Sequence, residues 1–170
     1  MTDTTTHAET LFDAPAIPTE DARQWRIDSL QVVNWGGFHG HTAMNLDADA
    51  TLIAGPSGSG KSTLLDAYLA VMMPDSTPFN GASNDAATGR ARNPDQRNLL
   101  SYLRGKTDVE RESDGFLRDQ VLRGHGQATW GAVAATFRSD TGETLTALRV
   151  FLVKPSCTSD REITKHLCVT

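Results

Sequence analysis

Long apolar runs are missing from this sequence of 170 residues, and cysteine and aromatic residues are scarce. No run approaches the roughly 20 apolar residues that cross a bilayer, so the sequence predicts no membrane partner. The first ten residues contain neither a basic nor an apolar segment, which argues against a secretory signal and favours the cytoplasm. The formal net charge of −5 argues against nucleic-acid binding over the whole surface, although a local basic patch stays open.

Only two cysteines are present, Cys157 and Cys168, and they do not form a CxxC pair. Two thiols at this spacing are neither a disulfide framework nor a zinc site by themselves. His166 lies two positions before Cys168, yet structural zinc sites use four ligands. We therefore predict buried or half-buried thiols that have no metal role.

The sequence divides into an acidic tail over residues 1–23 and a folded unit over residues 24–170. The tail is rich in Thr, Ala, Asp and Glu and has no sustained hydrophobic period, which predicts disorder. Within the tail, TLFDAP places two apolar residues in a polar segment, so a docking motif and a plain tail are both open. The remaining residues are within the usual size of one domain.

Apolar patterns in the first half predict an α/β fold. Residues 25–35 and 41–46 alternate as strands do. The wholly apolar TLIA of residues 51–54 is typical of a strand that is buried on both faces of a parallel sheet. Residues 62–73 place apolar side chains at spacings of three and four with little polar face. This pattern predicts a helix packed between two layers and ended by Pro74.

The second half is predicted to hold a long loop, a short helix and a hairpin. Residues 74–98 are dense in Pro, Gly, Asn and Asp, which predicts a loop. Residues 98–105 predict a short helix closed by its terminal glycine and followed by a charged loop. Two strands over residues 129–139 and 143–153 flank the hairpin turn DTG. A helix capped by Ser159 is predicted to begin in SDREITKHL.

One segment carries a specific chemical signature. GPSGSGKS, residues 55–62, fits the pattern G-x-x-x-x-G-K-[ST] between the apolar run and the apolar helix. Its glycines let the backbone curl so that successive N–H groups face a phosphate chain without obstruction by a Cβ. The start of the helix adds unpaired N–H groups and the positive end of its dipole. The segment therefore predicts a nucleotide site, with ATP and Mg²⁺ as its cofactors.

Each residue of this loop has an expected role. Lys61 is the catalytic candidate because its ammonium group can reach the β- and γ-phosphates. The Ser62 hydroxyl is the expected Mg²⁺ ligand, and Thr63 can donate to the α-phosphate. Asp66, one turn further along the helix, is expected to support the loop rather than bind metal. The predicted nucleotide-binding residues are Gly55, Pro56, Ser57, Gly58, Ser59, Gly60, Lys61, Ser62 and Thr63.

Several side chains outside the loop have two interpretations. Trp35 and Phe38 could stack on a base, although core packing is the favoured alternative. His39 and His41 are predicted to lie in a surface loop. Arg104 is a further candidate for contact with the nucleotide. A basic stretch could contact DNA phosphates or could be a solvated surface, and its members are Arg90, Arg92, Arg97, Arg104 and Lys106.

The flanking strands, the loop and the helix together carry a resemblance to a known family. Five motifs occur in this order: QVVNWGGFHG, GPSGSGKSTLLDA, FNGAS, NLLSYLRGK and ATWGAVAATFRSDTGETLTALRVF. With them, residues 25–154 resemble the N-terminal head segment of SMC-type ATPases. More narrowly, they resemble the SMC-like subunit of Wadjet plasmid-defence systems, among the MukB/MksB-like condensins. The resemblance implies lobe I of an ABC/SMC-type P-loop NTPase head, with an antiparallel β layer beside a parallel core.

The resemblance also implies what such a lobe needs for activity. Family members hydrolyse ATP with a Walker B glutamate and a signature serine from a partner head. This sequence has no apolar run ending in Asp-Glu, no LSGG-like segment and no heptads. The expected partners are its own C-terminal head lobe, a second SMC-like head, kleisin-like and accessory subunits, and DNA. We expect ATP binding by this chain, with hydrolysis only in the assembled head during anti-plasmid defence.

Two other classes of P-loop protein stay open at this point, because a P-loop alone does not define a reaction. GPSGSGKSTL also suits guanylate-kinase-like enzymes, in which Arg90, Arg92, Arg97 and Arg104 would serve as lid arginines. An ABC-transporter ATPase lobe is the third alternative. It would require a signature motif and a Walker B motif further along the chain.

Overall fold

The computed structural model describes residues 23–79, 97–111, 117–124 and 126–170. The helices in these ranges are α1 (Lys61–Met72), α2 (Leu99–Arg104) and a 3₁₀ turn at Asp160–Glu162. The strands are β1 (Trp25–Trp35), β2 (Phe38–Asn45), β3 (Lys106–Arg111), β4 (Leu117–Val121), β5 (Thr129–Ser139), β6 (Thr144–Val153) and β7 (Thr164–Val169). None of the described helices is both long and apolar enough to cross a membrane.

Five of the strands form one antiparallel sheet in the order β2-β1-β5-β6-β7. The long alternating segments β1 and β5 lie side by side near its centre. β5 and β6 are joined by the turn DTG, in which Gly142 has a φ of 86°. The predicted strands β1, β5 and β6 and the antiparallel layer are confirmed. β2 covers residues 38–45 rather than the predicted 41–46.

Helices cover one face of this sheet. Both α1 and α2 contact β1, β5 and β6. Alternate strand residues point into this layer, and Val32, Val133 and Phe151 are fully buried there. Trp35 and Leu103 complete the fully buried centre. Burial of one large apolar side chain contributes roughly 1.5–3 kcal/mol, so this interface is the main stabilising layer of the described residues.

Helix α1 buries only one of its faces. Ala67, Ala70 and Val71 are buried against the sheet, whereas Leu65 is 48% exposed and Met72 is 40% exposed. The prediction of a helix packed between two layers is therefore wrong for the described residues. The reason is that the sheet covers one side and no described element covers the other.

Residues 51–54 do not form the predicted buried parallel strand. Leu52 is 91% exposed and Ile53 is 41% exposed. A central strand needs hydrogen-bonded neighbours for its backbone N–H and C=O groups. Every strand pair in the described ranges is antiparallel, and none includes this segment. The parallel core expected from the fold class is therefore not formed by the described residues.

The first part of the predicted charged loop after α2 is a strand instead, β3, and residues 112–115 of that loop lie outside the described residues. Within KTDVERESDG, β3 pairs with β4 in a separate two-stranded sheet. Val109 is the one large apolar residue of this segment, so the segment lacks the apolar alternation from which a half-buried strand is predicted. Backbone pairing with β4 decides its conformation.

The predicted C-terminal helix is also wrong. Ser159 makes no side-chain capping hydrogen bond, and only a single 3₁₀ turn follows it. The chain then extends as β7 along the edge of β6. Because a short isolated helix is marginal in water, pairing with an existing strand satisfies this backbone better.

A cluster of charges ties the end of α1 to the sheet. Arg149 of β6 donates to the carbonyl oxygen of Ala70 at 2.8 Å and pairs with Asp75. Lys165 Nζ of β7 lies 2.8 Å from Asp75 Oδ2. The hydrogen bond from Lys165, with a further contribution from Arg149, holds the pKa of Asp75 below its ordinary value. Cations at the carbonyl end of a helix also suit its dipole.

The two thiols differ in their surroundings. Cys157 is buried, its Sγ lies 3.4 Å from the carbonyl oxygen of Ser159, and burial raises its pKa. Cys168 is exposed on β7, so the prediction of a buried or half-buried thiol is wrong for this residue.

Some predictions fall outside the described residues. These are the tail as far as residue 22, including TLFDAP, most of FNGAS, and Arg90 and Arg92 of the basic stretch. Arg23 is the last residue of the predicted tail, and its Nη1 lies 2.6 Å from Glu143 Oε2.

Candidate functional site

Residues 55–60 form the turn that leads into α1. Gly58 has a φ of 81° and Gly60 a φ of 92°, in the left-handed region that favours glycine. A Cβ at Gly60 would also lie 3.0 Å from the Phe38 ring. The two glycines therefore permit a tight curl that a residue with a side chain would strain.

The first turn of α1 suits an anion. Its N-cap is Gly60, which supplies no side-chain acceptor, and no acidic residue lies in the first turn. The first four N–H groups of a helix lack intrahelical acceptors, and the helix dipole adds partial positive charge. Both features favour a phosphate group at this helix start.

Lys61 curls back over the turn. Its Nζ donates to the carbonyl oxygen of Gly55 at 2.6 Å and to that of Pro56 at 2.7 Å. Ser59 Oγ lies 3.5 Å away. These contacts brace the turn and hold the ammonium group against its backbone. Gly55 and Pro56 thus act as acceptors for Lys61.

A cleft of about 880 Å³ lies beside the turn. Residues 57–63 line one side of it. They are all the predicted site residues except Gly55 and Pro56. The remaining lining comes from the β1–β2 turn and from residues just before and just after α2. We call this part of the lining the second wall. The second wall consists of Gly37, Phe38, Arg97, Lys106 and Thr107. Cations on both sides of the cleft suit a polyanionic ligand.

Behind the turn, a buried aromatic pair holds the first turn of α1. Trp35 donates from Nε1 to the carbonyl oxygen of Thr63 at 2.9 Å. Its ring stacks on Tyr102, with centroids 4.9 Å apart and planes inclined by 14°. The Tyr102 hydroxyl donates to Asp66 Oδ2, which is fully buried. Asp66 therefore links α1 to α2 within the core, and its support of the loop itself stays a prediction. Trp35 is a core residue rather than a base-stacking surface.

Of the two aromatic candidates, only Phe38 reaches the cleft. It is half-buried, with its ring beside Gly60. His39 and His41 are exposed, as predicted, but they lie in β2 rather than in the predicted surface loop. His41 Nε2 lies 3.0 Å from Gln31 Oε1.

The β1–β2 turn is fastened by Arg123, which is buried. Its guanidinium group donates to the carbonyl oxygens of Gly36 at 2.6 Å, Leu103 at 2.8 Å and Tyr102 at 3.0 Å. Burial lowers the pKa of Arg123. These bonds fix the turn against α2 and thereby position the second wall. Sequence reasoning missed Arg123, because one arginine within VLRGHG carries no signal of burial.

Gly36→Ala should destabilise the protein. Gly36 has a φ of 54°, and an added Cβ would lie 2.5 Å from Thr63 Cγ2. We expect urea titration to show a loss of about 1–3 kcal/mol in the free energy of unfolding, from strain and crowding together. Gly37→Ala is the matched control, because no heavy atom lies within 4 Å of its added Cβ. A similar loss in both variants would contradict the packing of this turn against Thr63.

Arg104 is a structural cation, and the prediction that it reaches the nucleotide is wrong. It is buried and donates to the carbonyl oxygens of Gly124, Gln127 at 2.7 Å and Lys154 at 3.1 Å. It does not line the cleft. The same burial removes it from the basic surface predicted for DNA and from the lid arginines of the kinase alternative.

Arg97 and Lys106 are the other described members of the basic stretch, and both lie in the second wall. Arg97 Nη1 is buried and has no hydrogen-bond partner among the described residues. Arg97 also lines a neighbouring cavity of about 210 Å³ under the C-terminal end of α1.

Comparison with protein families gives a match over part of the chain. The family described as the P-loop containing region of AAA domain matches residues 27–86. This range contains most of β1 and all of β2, the glycine-rich turn and α1. The match supports a P-loop ATPase family for this segment. A P-loop region indicates nucleotide binding, typically with Mg²⁺.

Proposed function

We propose that this protein binds Mg-ATP through residues 55–63. The observation that carries the proposal is the cleft in which the glycine-rich turn, the uncapped start of α1 and Lys61 lie together. Lys61 is assigned to the β- and γ-phosphates, Ser62 to Mg²⁺ and Thr63 to the α-phosphate.

The residues present fit a bound magnesium nucleotide. The turn and the start of α1 offer glycines with positive φ, an N-cap that makes no side-chain hydrogen bond, and four hydroxyl side chains in the cleft lining. Mg²⁺, held by the Ser62 hydroxyl, would offset the negative charge of the phosphate chain. Asp66 is assigned no contact with the metal, because its buried carboxylate accepts from the Tyr102 hydroxyl.

We further propose that the chain is the N-terminal lobe of an SMC-like ATPase head with a role in anti-plasmid defence. Support comes from the sequence motifs and from apolar side chains that the described sheet leaves uncovered. These side chains are Leu52, Ile53, Leu65 and Met72. Exposed apolar groups of this number suit an interface. The proposed occupant is the C-terminal head lobe, whose strands would add the parallel core beside residues 51–54.

In this proposal, the chain alone does not hydrolyse ATP. A Walker B glutamate and a signature segment are missing from the sequence and are assigned to the C-terminal lobe and to a second SMC-like head. Kleisin-like and accessory subunits and DNA are proposed as partners of the assembled head.

Titration of the 170-residue chain with ATP, in the presence and absence of Mg²⁺, tests the proposed function. We expect weak, saturable binding that Mg²⁺ strengthens. A ligand that binds only the folded state at 100 times its Kd stabilises that state by about 2.7 kcal/mol, so the melting temperature should rise. Phosphate release should stay at background.

Three results would contradict parts of the proposal. No binding and no rise in melting temperature under either condition would refute the nucleotide site. Robust hydrolysis by this chain alone would refute the split head. Phosphate transfer from ATP to a nucleoside monophosphate would favour the kinase alternative.

A further inference from the structure

Helix α2 is short but is held firmly at both ends. A reciprocal capping box closes its start. The carboxylate of Asp160 also accepts from the N–H groups of Leu99 at 2.9 Å and Leu100 at 2.8 Å. At the other end, Gly105 has a φ of 65° and ends the helix, as glycine commonly does at a helix C-terminus. The chain therefore enters β3 from a fixed point.

Lys106 begins β3 at an irregularity in the strand pairing. The register shifts between the Lys106–Val121 pair and the next pair, so that Thr107 is an extra residue on β3. A bulge of this kind bends the strand and redirects its side chains, and bulges are frequent beside active sites. Lys106 is half-buried, and both it and Thr107 line the cleft that contains residues 57–63.

We infer that Lys106 is a second cationic ligand of the nucleotide's phosphate chain, which it contacts from the second wall. The inference rests on the proposed function of the same cleft. An ammonium group in a half-buried cleft interacts more strongly with phosphate than one in bulk water, because the effective dielectric constant is lower. Lys61 already donates to two carbonyl oxygens of its own turn. A cation from the second wall adds positive charge without loosening that turn.

The neighbouring arginines are less suited to this role. Neither Arg104 nor Arg123 lines the cleft. Arg97 lines the cleft but also lines the cavity under α1, so it is not confined to the cleft. Lys106 lines the cleft but does not line the cavity under α1.

Lys106→Gln tests the inference, because it removes the charge and keeps most of the side-chain length. We expect the Kd for ATP to rise about tenfold, the effect of losing one charge-assisted hydrogen bond. Lys106→Arg keeps the charge and should bind within about threefold of the wild type. The matched control is Lys154→Gln, at an exposed lysine outside the cleft, which should leave Kd unchanged.

Inorganic tripolyphosphate is the second probe, because it offers the phosphate chain without base or ribose. If Lys106→Gln loses affinity for ATP and for tripolyphosphate by the same factor, Lys106 contacts the phosphate chain. A loss of affinity for ATP alone would indicate that Lys106 contacts the base or the ribose, and it would overturn the inference. If Lys106→Arg lost as much affinity as Lys106→Gln, the role of Lys106 would be structural, and this result would overturn the inference as well.

The outcome also separates this inference from the proposed function. If the wild-type chain binds ATP and Lys106→Gln binds it equally well, the inference fails and the proposed function stands. If the wild-type chain binds neither ATP nor tripolyphosphate, the proposed function fails and the inference fails with it.

Discussion

Lys61→Ala should abolish the rise in melting temperature that ATP produces, and it should leave the protein folded. Lys61 is the only charged residue among residues 57–63, which line one side of the cleft. Its ammonium group also braces the turn through the carbonyl oxygens of Gly55 and Pro56. We expect ATP affinity to fall at least about 100-fold, or about 3 kcal/mol. Calorimetric titration and thermal melting with Mg-ATP measure this loss.

The control for this prediction is the same change at a lysine outside the cleft. Lys154→Ala should retain the full ATP-dependent rise in melting temperature. Without nucleotide, Lys61→Ala should melt close to the wild type, because the partners of Lys61 are exposed carbonyl groups of its own turn. If Lys61→Ala kept the ATP-dependent rise, polyphosphate would bind elsewhere and the assignment of residues 55–63 would be lost.

The strands of the main sheet could be predicted because one of their faces is buried. In β5, Val133 and Ala135 point into the core at a spacing of two, while Trp130 points to the exposed face. The same period marks β1 and β6, and the turn DTG separates β5 from β6. A period of two is a local property, and it survives in the folded protein whenever one face meets a helix layer.

The wrong predictions concern segments whose conformation depends on distant partners. TLIA has the composition of a buried strand, but a strand also needs neighbours, and the described residues supply none for it. β3 shows the opposite case, since a polar segment became a strand because β4 pairs with it. SDREITKHL likewise extends because the edge of β6 offers hydrogen bonds. Composition alone does not contain this information.

The same distinction applies to the candidate site. The glycine-rich turn could be predicted, because its chemistry is contained in eight consecutive residues. The second wall could be predicted only in part: Phe38 was a candidate for contact with the base, whereas Lys106 is brought beside the turn only by the tertiary fold. The support behind the turn combines Trp35, Tyr102 and Asp66 from three separate elements. Sequence reasoning assigned Asp66 a supporting role but had no signal for its partner.

Trp35→Ala should cause the largest loss of stability of any single change considered for this protein. Trp35 is fully buried, stacks on Tyr102 and meets Phe79 edge-on with centroids 6.0 Å apart. Truncation of a buried tryptophan removes its burial free energy and leaves a cavity, which together cost about 3–5 kcal/mol. Whole domains are stable by only about 5–15 kcal/mol, so this variant should lie near the unfolding threshold. Urea titration followed by circular dichroism measures the change.

Two further variants separate the packing of Trp35 from its hydrogen bond. Trp35→Phe keeps a stacking ring but leaves the Thr63 carbonyl oxygen without its donor, so we expect a loss of about 1–3 kcal/mol. Because that carbonyl belongs to the first turn of α1, Trp35→Phe should also weaken ATP binding. Trp130→Ala is the control, since Trp130 is 48% exposed and should lose less than about 1 kcal/mol. If Trp35→Phe matched the wild type in both stability and ATP binding, the bond from Trp35 to Thr63 would have no part in positioning the site.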